Sequence, residues 1–205
     1  MKILVACEES QAVTKEFRKL GHEAYSCDIL EQSGGHPEWH IKGDIKEVLG
    51  ELWDMIIAFP PCTYLSCAGA CRLYPTKGNI DEARYKKGLE AKDFFNLFLN
   101  HPCPKVAIEN PIQLKVFNIP KYNQIIQPWE HGHPFSKKTC LWLKGLPLLT
   151  PTNIIKSGVV SWIGGGSKDN KGNPRKNIGL VRDKKMRSKT FPGIAKAMAE
   201  QWGEL

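Results

Sequence analysis

Apolar residues in this chain fall into short unbroken runs separated by stretches of helical spacing. KILVA at 2–6, HEAYSCDI at 22–29, WDMIIAF at 53–59 and KVAIENP at 105–111 each read as a strand. A continuous apolar run, without polar alternation, marks a strand covered on both faces. Between the first two runs lies SQAVTKEFRKLG, where Val13 and Phe17 are four apart and Leu20 follows three later. Ser10 is positioned to cap this helix and Gly21 to end it. Residues 79–100 hold the longest helical pattern, with Leu89, Phe94, Leu97 and Phe98 as its apolar positions. IKGDI predicts a short strand edge, TCLWLKGLPLL a further strand and turn, and FPGIAKAMAEQWG a closing helix with Pro192 near its start.

Strands alternating with helices predict an α/β fold, a doubly wound and mostly parallel sheet with helices on both faces. Residues 1–150 form the core, 151–188 a loop-rich basic segment, and 189–205 a helix returning to the core. In such folds ligands bind beyond the carboxyl ends of the strands. Four polar clusters fall there: CEES after the first strand, Asp28 after the second, PPCTYLS after a third and ENP after a fourth. Structural residues scattered at random would not sort themselves in this way.

Charge adds a partner class. Residues 151–190 carry ten Lys or Arg against two acids, which accounts for the whole net charge of +8. A block of this kind suits a polyanion, because phosphate contacts release counterions. GGGSK, within it, lacks the spacing of a phosphate loop. No apolar run approaches the roughly 18 residues that cross a membrane. The opening MKILVACEES is too short for an export signal. Seven dispersed cysteines then fit free thiols in a reducing cytoplasm. Cys62, Cys67, Cys71 and the HGH at 131–133 lack the paired knuckles of a zinc site, so no metal is predicted.

Cys62, fixed by two prolines at a strand end, is a candidate nucleophile. Glu109, at another strand end, is a candidate acid for a ring nitrogen. Together they form the pair that activates an electron-poor pyrimidine. The thiolate adds at C6, protonation at N3 relieves the charge, and C5 becomes nucleophilic.

PCTYLSCAG resembles the catalytic motif of the cytosine-C5 methyltransferases, with Pro61, Cys62, Ser66, Ala68 and Gly69 in register. AIENP is similar to that family's glutamate-asparagine-valine motif, and KGDI to its glycine-aspartate-isoleucine motif. The order holds from residue 1 to about 143, and the chain looks most like the compact members that phages encode. The resemblance implies a Rossmann-like methyltransferase fold with a reduced target-recognition lobe. Its implied cofactor is S-adenosyl-L-methionine, and its substrate a flipped DNA cytosine or a free nucleotide. Cys62 becomes the nucleophile and Glu109 the N3 partner. Asp28 and Asp44 hold the cofactor's ribose and adenine, with Glu8, Ser10 and Pro60 on the cofactor side. Ser66, Asn110, Lys137, Lys184, Lys185 and Arg187 face substrate or nucleic acid.

Three departures bear on activity. Cys7, Glu8, Glu9 and Ser10 replace the family's glycine-rich first loop. Glu8 and Glu9 read either as ligands of the cofactor ammonium or as solvated acids at the helix start. Only about 45 residues separate the strand at 139–143 from the closing helix, and the basic segment reads as the remnant of the recognition lobe. Lys137 and Lys138 stand where the family has arginines, and lysine lacks the planar fork. The alternative is a catalytically degenerate protein of the same fold that binds nucleotide or nucleic acid. An amino methyltransferase fits less well, since Phe59 and Cys62 replace the residues its motif needs in FPPC.

Overall fold

The run Lys2–Ala6 becomes β1, and the rest of the sheet is registered on it. In the computed structural model, which describes residues 1–162 and 187–205, β1 lies between β2 (Glu23–Asp28) and β4 (Met55–Ala58), parallel to both. Outside β2 lies β3 (His40–Lys42), and outside β4 lies β5 (Lys105–Asn110), again parallel. β8 (Thr139–Lys144) pairs antiparallel with β5 and carries β6 (Gln124–Ile126) at the sheet edge. The protein is therefore α/β, with a mostly parallel seven-stranded sheet in the order β3-β2-β1-β4-β5-β8-β6. It is compatible with a Rossmann-like fold, whose strand order also reverses beside the first strand.

Side chains alternate along each strand and so supply two cores. Ile3 and Val5 of β1 pack with Val13 and Phe17 of α1 (Ala12–Lys19) and with Ala195, Met198 and Trp202 of α4 (Pro192–Trp202). Leu4 and Ala6 face the other way, into a cluster with Phe95 and Phe98 of α3 (Glu82–Leu99). The short helix α2 (Ala70–Leu73) lies between β4 and α3 in the chain and adds Leu73 to the same cluster.

The buried face of α3 differs from expectation. Leu89 and Leu97 are exposed, at 39% and 36%, while Gly88, Phe95 and Phe98 point inward. Gly88 sets this rotation. A Cβ there would sit 2.1 Å from the Phe117 ring, so the helix approaches the core through its glycine. Hydrophobic spacing cannot register a contact made by an absent side chain. The edge strand β6 also went unpredicted, and β3 ends before the glycine of KGDI.

The HGH sequence is structural. His133 Nε2 accepts the N–H of Gly193 at 2.9 Å, so an imidazole satisfies an open donor in the first turn of α4. His131 Nδ1 lies 3.1 Å from the Thr152 hydroxyl. Burial holds both imidazoles below their ordinary pKa and favours the neutral form that can accept. Alongside, β7 (Phe135–Ser136) and β9 (Val160–Ser161) make a small parallel pair. Phe135, Trp162 and Phe191 pack together there.

Two tests follow from this packing. A Cβ on Gly193 would lie 1.9 Å from the His131 carbonyl oxygen. Gly193→Ala should therefore cost ~3 kcal/mol in urea denaturation, because the close neighbour is backbone. The unfolded chain protonates a histidine near its ordinary pKa, above the depressed folded value of His133. Its contribution is thus complete at higher pH and declines as pH falls through about 6.5. Wild type should lose stability relative to His133→Gln between about pH 7.5 and 5.5; parallel profiles would show that His133 is not buried in its neutral form.

Candidate active site

The strand registers bring the polar clusters to one edge of the sheet. Ala6 pairs with both Cys27 and Ala58, and Ala58 with Ile108, so β1, β2, β4 and β5 end almost level. Asp28 pairs with Lys42, which brings the end of β3 to the same edge. Because β8 runs in reverse, it starts there: Asn110 pairs with Cys140 and Glu109 with Leu141. Lys137 and Thr139 arrive at the site through that reversal.

Cys62 opens a tight turn after Pro60 and Pro61. It is partly buried and in no disulfide. Its carbonyl accepts the N–H groups of Leu65 at 3.3 Å and Ser66 at 3.0 Å. The Asn110 amide donates to the carbonyl of Pro60 at 2.8 Å, fixing the backbone two residues before the cysteine. Further along, the turn is tied to the segment after β5, with Cys67 N–H donating to the Ile112 carbonyl at 2.9 Å and Leu114 N–H to the Leu65 carbonyl at 2.7 Å. The two loops behave as one unit.

This unit assigns local tasks to two expected substrate contacts. The Ser66 hydroxyl accepts from Ala68 N–H at 3.1 Å and caps the short turn Cys67–Gly69. Asn110 is 1% exposed. Its Nδ2 is committed to the Pro60 and Glu109 carbonyls, whereas its buried Oδ1 has no hydrogen-bond partner.

Glu109 is held toward its neutral form. Burial raises its pKa, and the Lys137 charge and Thr139 hydroxyl offset this only in part. A neutral carboxyl can donate a hydrogen bond, which a carboxylate cannot. Next to it, the Cys140 thiol is pushed up to about 11 by burial and the Glu109 charge. A thiol in that range stays protonated at neutral pH.

On the other side of the site the first loop solves a backbone problem without glycine. Cys7 takes φ +59° and Gln11 φ +55°, both in the left-handed region that glycine enters freely. Such a conformation costs an L-residue about 1–2 kcal/mol, which surrounding contacts must offset. Cys7 N–H donates to the Cys27 carbonyl at 2.7 Å. The Gln11 amide donates to the His36 carbonyl at 2.7 Å and accepts the His36 N–H at 3.1 Å. Ser33 donates through its hydroxyl to the Glu9 carboxylate.

Glu8 lies beneath α1, 4% exposed, and not at the mouth of the site. Its carboxylate accepts from Val13 N–H at 2.7 Å, Thr14 N–H at 3.2 Å and the Thr14 hydroxyl at 2.8 Å. It thus performs the capping expected of Ser10, whose hydroxyl accepts only a long contact of 3.4 Å from Ala12 N–H. Burial raises the Glu8 pKa to about 7, against the lowering effect of these donors. Glu8 is thus a buried helix-capping acid, neither solvated nor open to a cofactor ammonium.

Asp28 and Asp44 close the other end of the edge. Asp28 Oδ1 accepts from Leu30 N–H at 2.9 Å, and Asp44 Oδ1 from Lys46 N–H at 3.0 Å. Burial pushes the Cys7 thiol upward, and both carboxylate charges add to that. The ends of β1, β2 and β3 therefore share one small region. Lys184 and Lys185 lie outside the described residues; Arg187 is partly exposed, shortly ahead of α4. Thr139 and Gln11 are the contributors that sequence patterns missed, since nothing local distinguishes them.

Among the described residues no group of three His, Cys, Asp or Glu is arranged to hold a metal ion, and no helix is long and apolar enough to cross a membrane. No protein-family model matches the chain, and no curated protein matches it significantly.

Glu8→Ala strips the start of α1 of three hydrogen bonds and should lower unfolding free energy by ~2–4 kcal/mol. A surface acid would change it by less than about 0.5 kcal/mol.

Proposed function

We propose that the protein is an S-adenosylmethionine-dependent cytosine-C5 methyltransferase acting on DNA. The observation that carries this is the pairing of Cys62 and Glu109: a cysteine turn at the end of β4 is hydrogen-bonded to the end of β5, where a carboxyl is kept toward its neutral form. Helices α1 and α4 on one face and α3 on the other support the finer reading of a doubly wound methyltransferase fold.

The cofactor suits the residues present. Asp28 and Asp44, at adjoining strand ends, would hold the ribose and adenine. The left-handed Cys7 and Gln11 provide the turn that glycines usually allow, and Glu8, turned under α1, sets no exposed carboxylate against the cofactor's own. This weakens the main argument for a degenerate binder. When bound, S-adenosylmethionine supplies an electrophilic methyl group.

The chain's own residues prepare the base. Cys62 thiolate forms a bond to C6 of a cytosine taken out of the stack. The electron pair displaced from the C5–C6 bond moves toward N3, where neutral Glu109 gives up its proton. Lys137, whose charge already acts on Glu109, stabilises the resulting carboxylate. C5 then carries the electron density needed for methylation. Solvent water takes the C5 proton, the electrons of that C–H bond re-form the C5–C6 double bond and expel the Cys62 thiolate, and N3 returns its proton to Glu109. The Pro60 anchor limits movement of the nucleophile during these steps. The basic segment around Lys184, Lys185 and Arg187 would contact phosphates, and the setting would be the cytoplasm.

Calorimetry should give micromolar S-adenosylmethionine binding, weakened ~10-fold or more by Asp28→Ala. Single-turnover methylation of cytosine DNA should vanish in Cys62→Ser and fall ~100-fold or more in Glu109→Gln. A Cys62→Ser protein that still methylates would rule out this chemistry.

A further inference from the structure

The turn that carries Cys62 is held from a second side. Arg84, in the first turn of α3, donates through Nη2 to the carbonyl of Thr63 at 2.7 Å. Its guanidinium also covers the Tyr64 ring, 4.9 Å from the centroid. Asn110 fixes the carbonyl of Pro60, so the backbone is gripped on both sides of the cysteine.

Three observations distinguish Arg84 from an ordinary surface arginine. Its approach depends on Gly69, where a Cβ would lie 2.9 Å from Nη2. The helix beneath it is locked: Asp81 Oδ1 accepts the Arg84 N–H at 2.8 Å, and the next residue, Tyr85, stacks on Phe117. Its Nε is buried and has no protein hydrogen-bond partner. Five side-chain polar atoms among the described residues share that condition, and four belong to Arg84, Asn110 and Gln113. All three residues touch the Cys62 turn, Gln113 through its bridge to Ser66 and its carbonyl beside Cys67 Sγ.

We propose that Arg84 is a positioning residue for the nucleophile, fixing the Cys62 turn through the Thr63 carbonyl and the face of Tyr64. The catalytic part of this inference rests on the methyltransferase reading; the clamp itself does not. Lysine reproduces it only in part, because a point charge lacks the planar surface that lies on Tyr64 and the fork that reaches the carbonyl. Lys87 also approaches Tyr64, at 5.8 Å from the centroid, but only as a cation over the ring.

Two measurements on Arg84→Ala, Arg84→Lys and Lys87→Ala test it. Hydrogen exchange at the Leu65 and Ser66 amides, which donate to the Cys62 carbonyl, should quicken about tenfold or more in Arg84→Ala, less in Arg84→Lys and little in Lys87→Ala. In single-turnover methylation Arg84→Ala should lose about 100-fold in kcat with KM and cofactor affinity unchanged. Arg84→Lys, which retains the charge, keeps the test usable if the alanine variant does not fold. Unaltered exchange would overturn the clamp, and altered exchange with normal kcat would overturn the positioning role. Altered exchange in a protein whose wild type does not methylate would uphold the clamp and reject the methyltransferase reading.

Discussion

A buried hydrogen bond from the Asn110 amide to the Pro60 carbonyl joins the two halves of the candidate site. Parallel pairing of β4 and β5 brings their ends together but leaves the chain beyond them without ladder partners. Proline has no N–H to donate, so the segment Pro60–Pro61 has to be held through its carbonyls. Asn110, rigid at the end of a buried strand, does this. The position of Cys62 relative to Glu109 follows from that contact and from the adjoining ties between the two loops.

Glu109 depends on the same arrangement. Its raised pKa comes from desolvation at the end of β5, which the Lys137 charge and the Thr139 hydroxyl offset only in part. Lys137 and Thr139 reach it only because β8 runs in reverse and begins beside Asn110. A parallel strand in that place would put its amino-terminal residues at the opposite edge. One reversed strand thus supplies both a cation and a hydroxyl to a carboxyl on its neighbour.

Much of this was legible in the sequence. The unbroken runs KILVA, WDMIIAF and KVAIENP read as buried strands, and the strands Lys2–Ala6, Met55–Ala58 and Lys105–Asn110 lie within them. The placing of Cys62, Glu109 and Asp28 at strand ends followed from the apolar runs, whereas Asp44 was reached only through the resemblance of KGDI. Other features were hidden for physical reasons. Gly88 orients α3 through an absent side chain. Glu8 has the composition of a surface acid, yet the open N–H groups of α1 draw it inward. Cys7 and Gln11 adopt backbone angles that their side chains do not advertise. Arg84 lies 22 positions from the cysteine whose turn it holds, and only the packing of α3 brings them together.

Covalent trapping addresses the pairing of Cys62 and Glu109 most directly. Duplex DNA containing 5-fluorocytosine would be incubated with the protein and S-adenosylmethionine, and the product analysed by intact mass and peptide mapping. Fluorine takes the place of the C5 proton and cannot leave as a cation, so elimination fails and the bond between sulfur and C6 persists. A stable protein–DNA adduct should form at Cys62, dependent on the cofactor and greatly slowed in Glu109→Gln. Methylation of ordinary cytosine DNA by wild type without any adduct at Cys62 on the fluorinated duplex would contradict it.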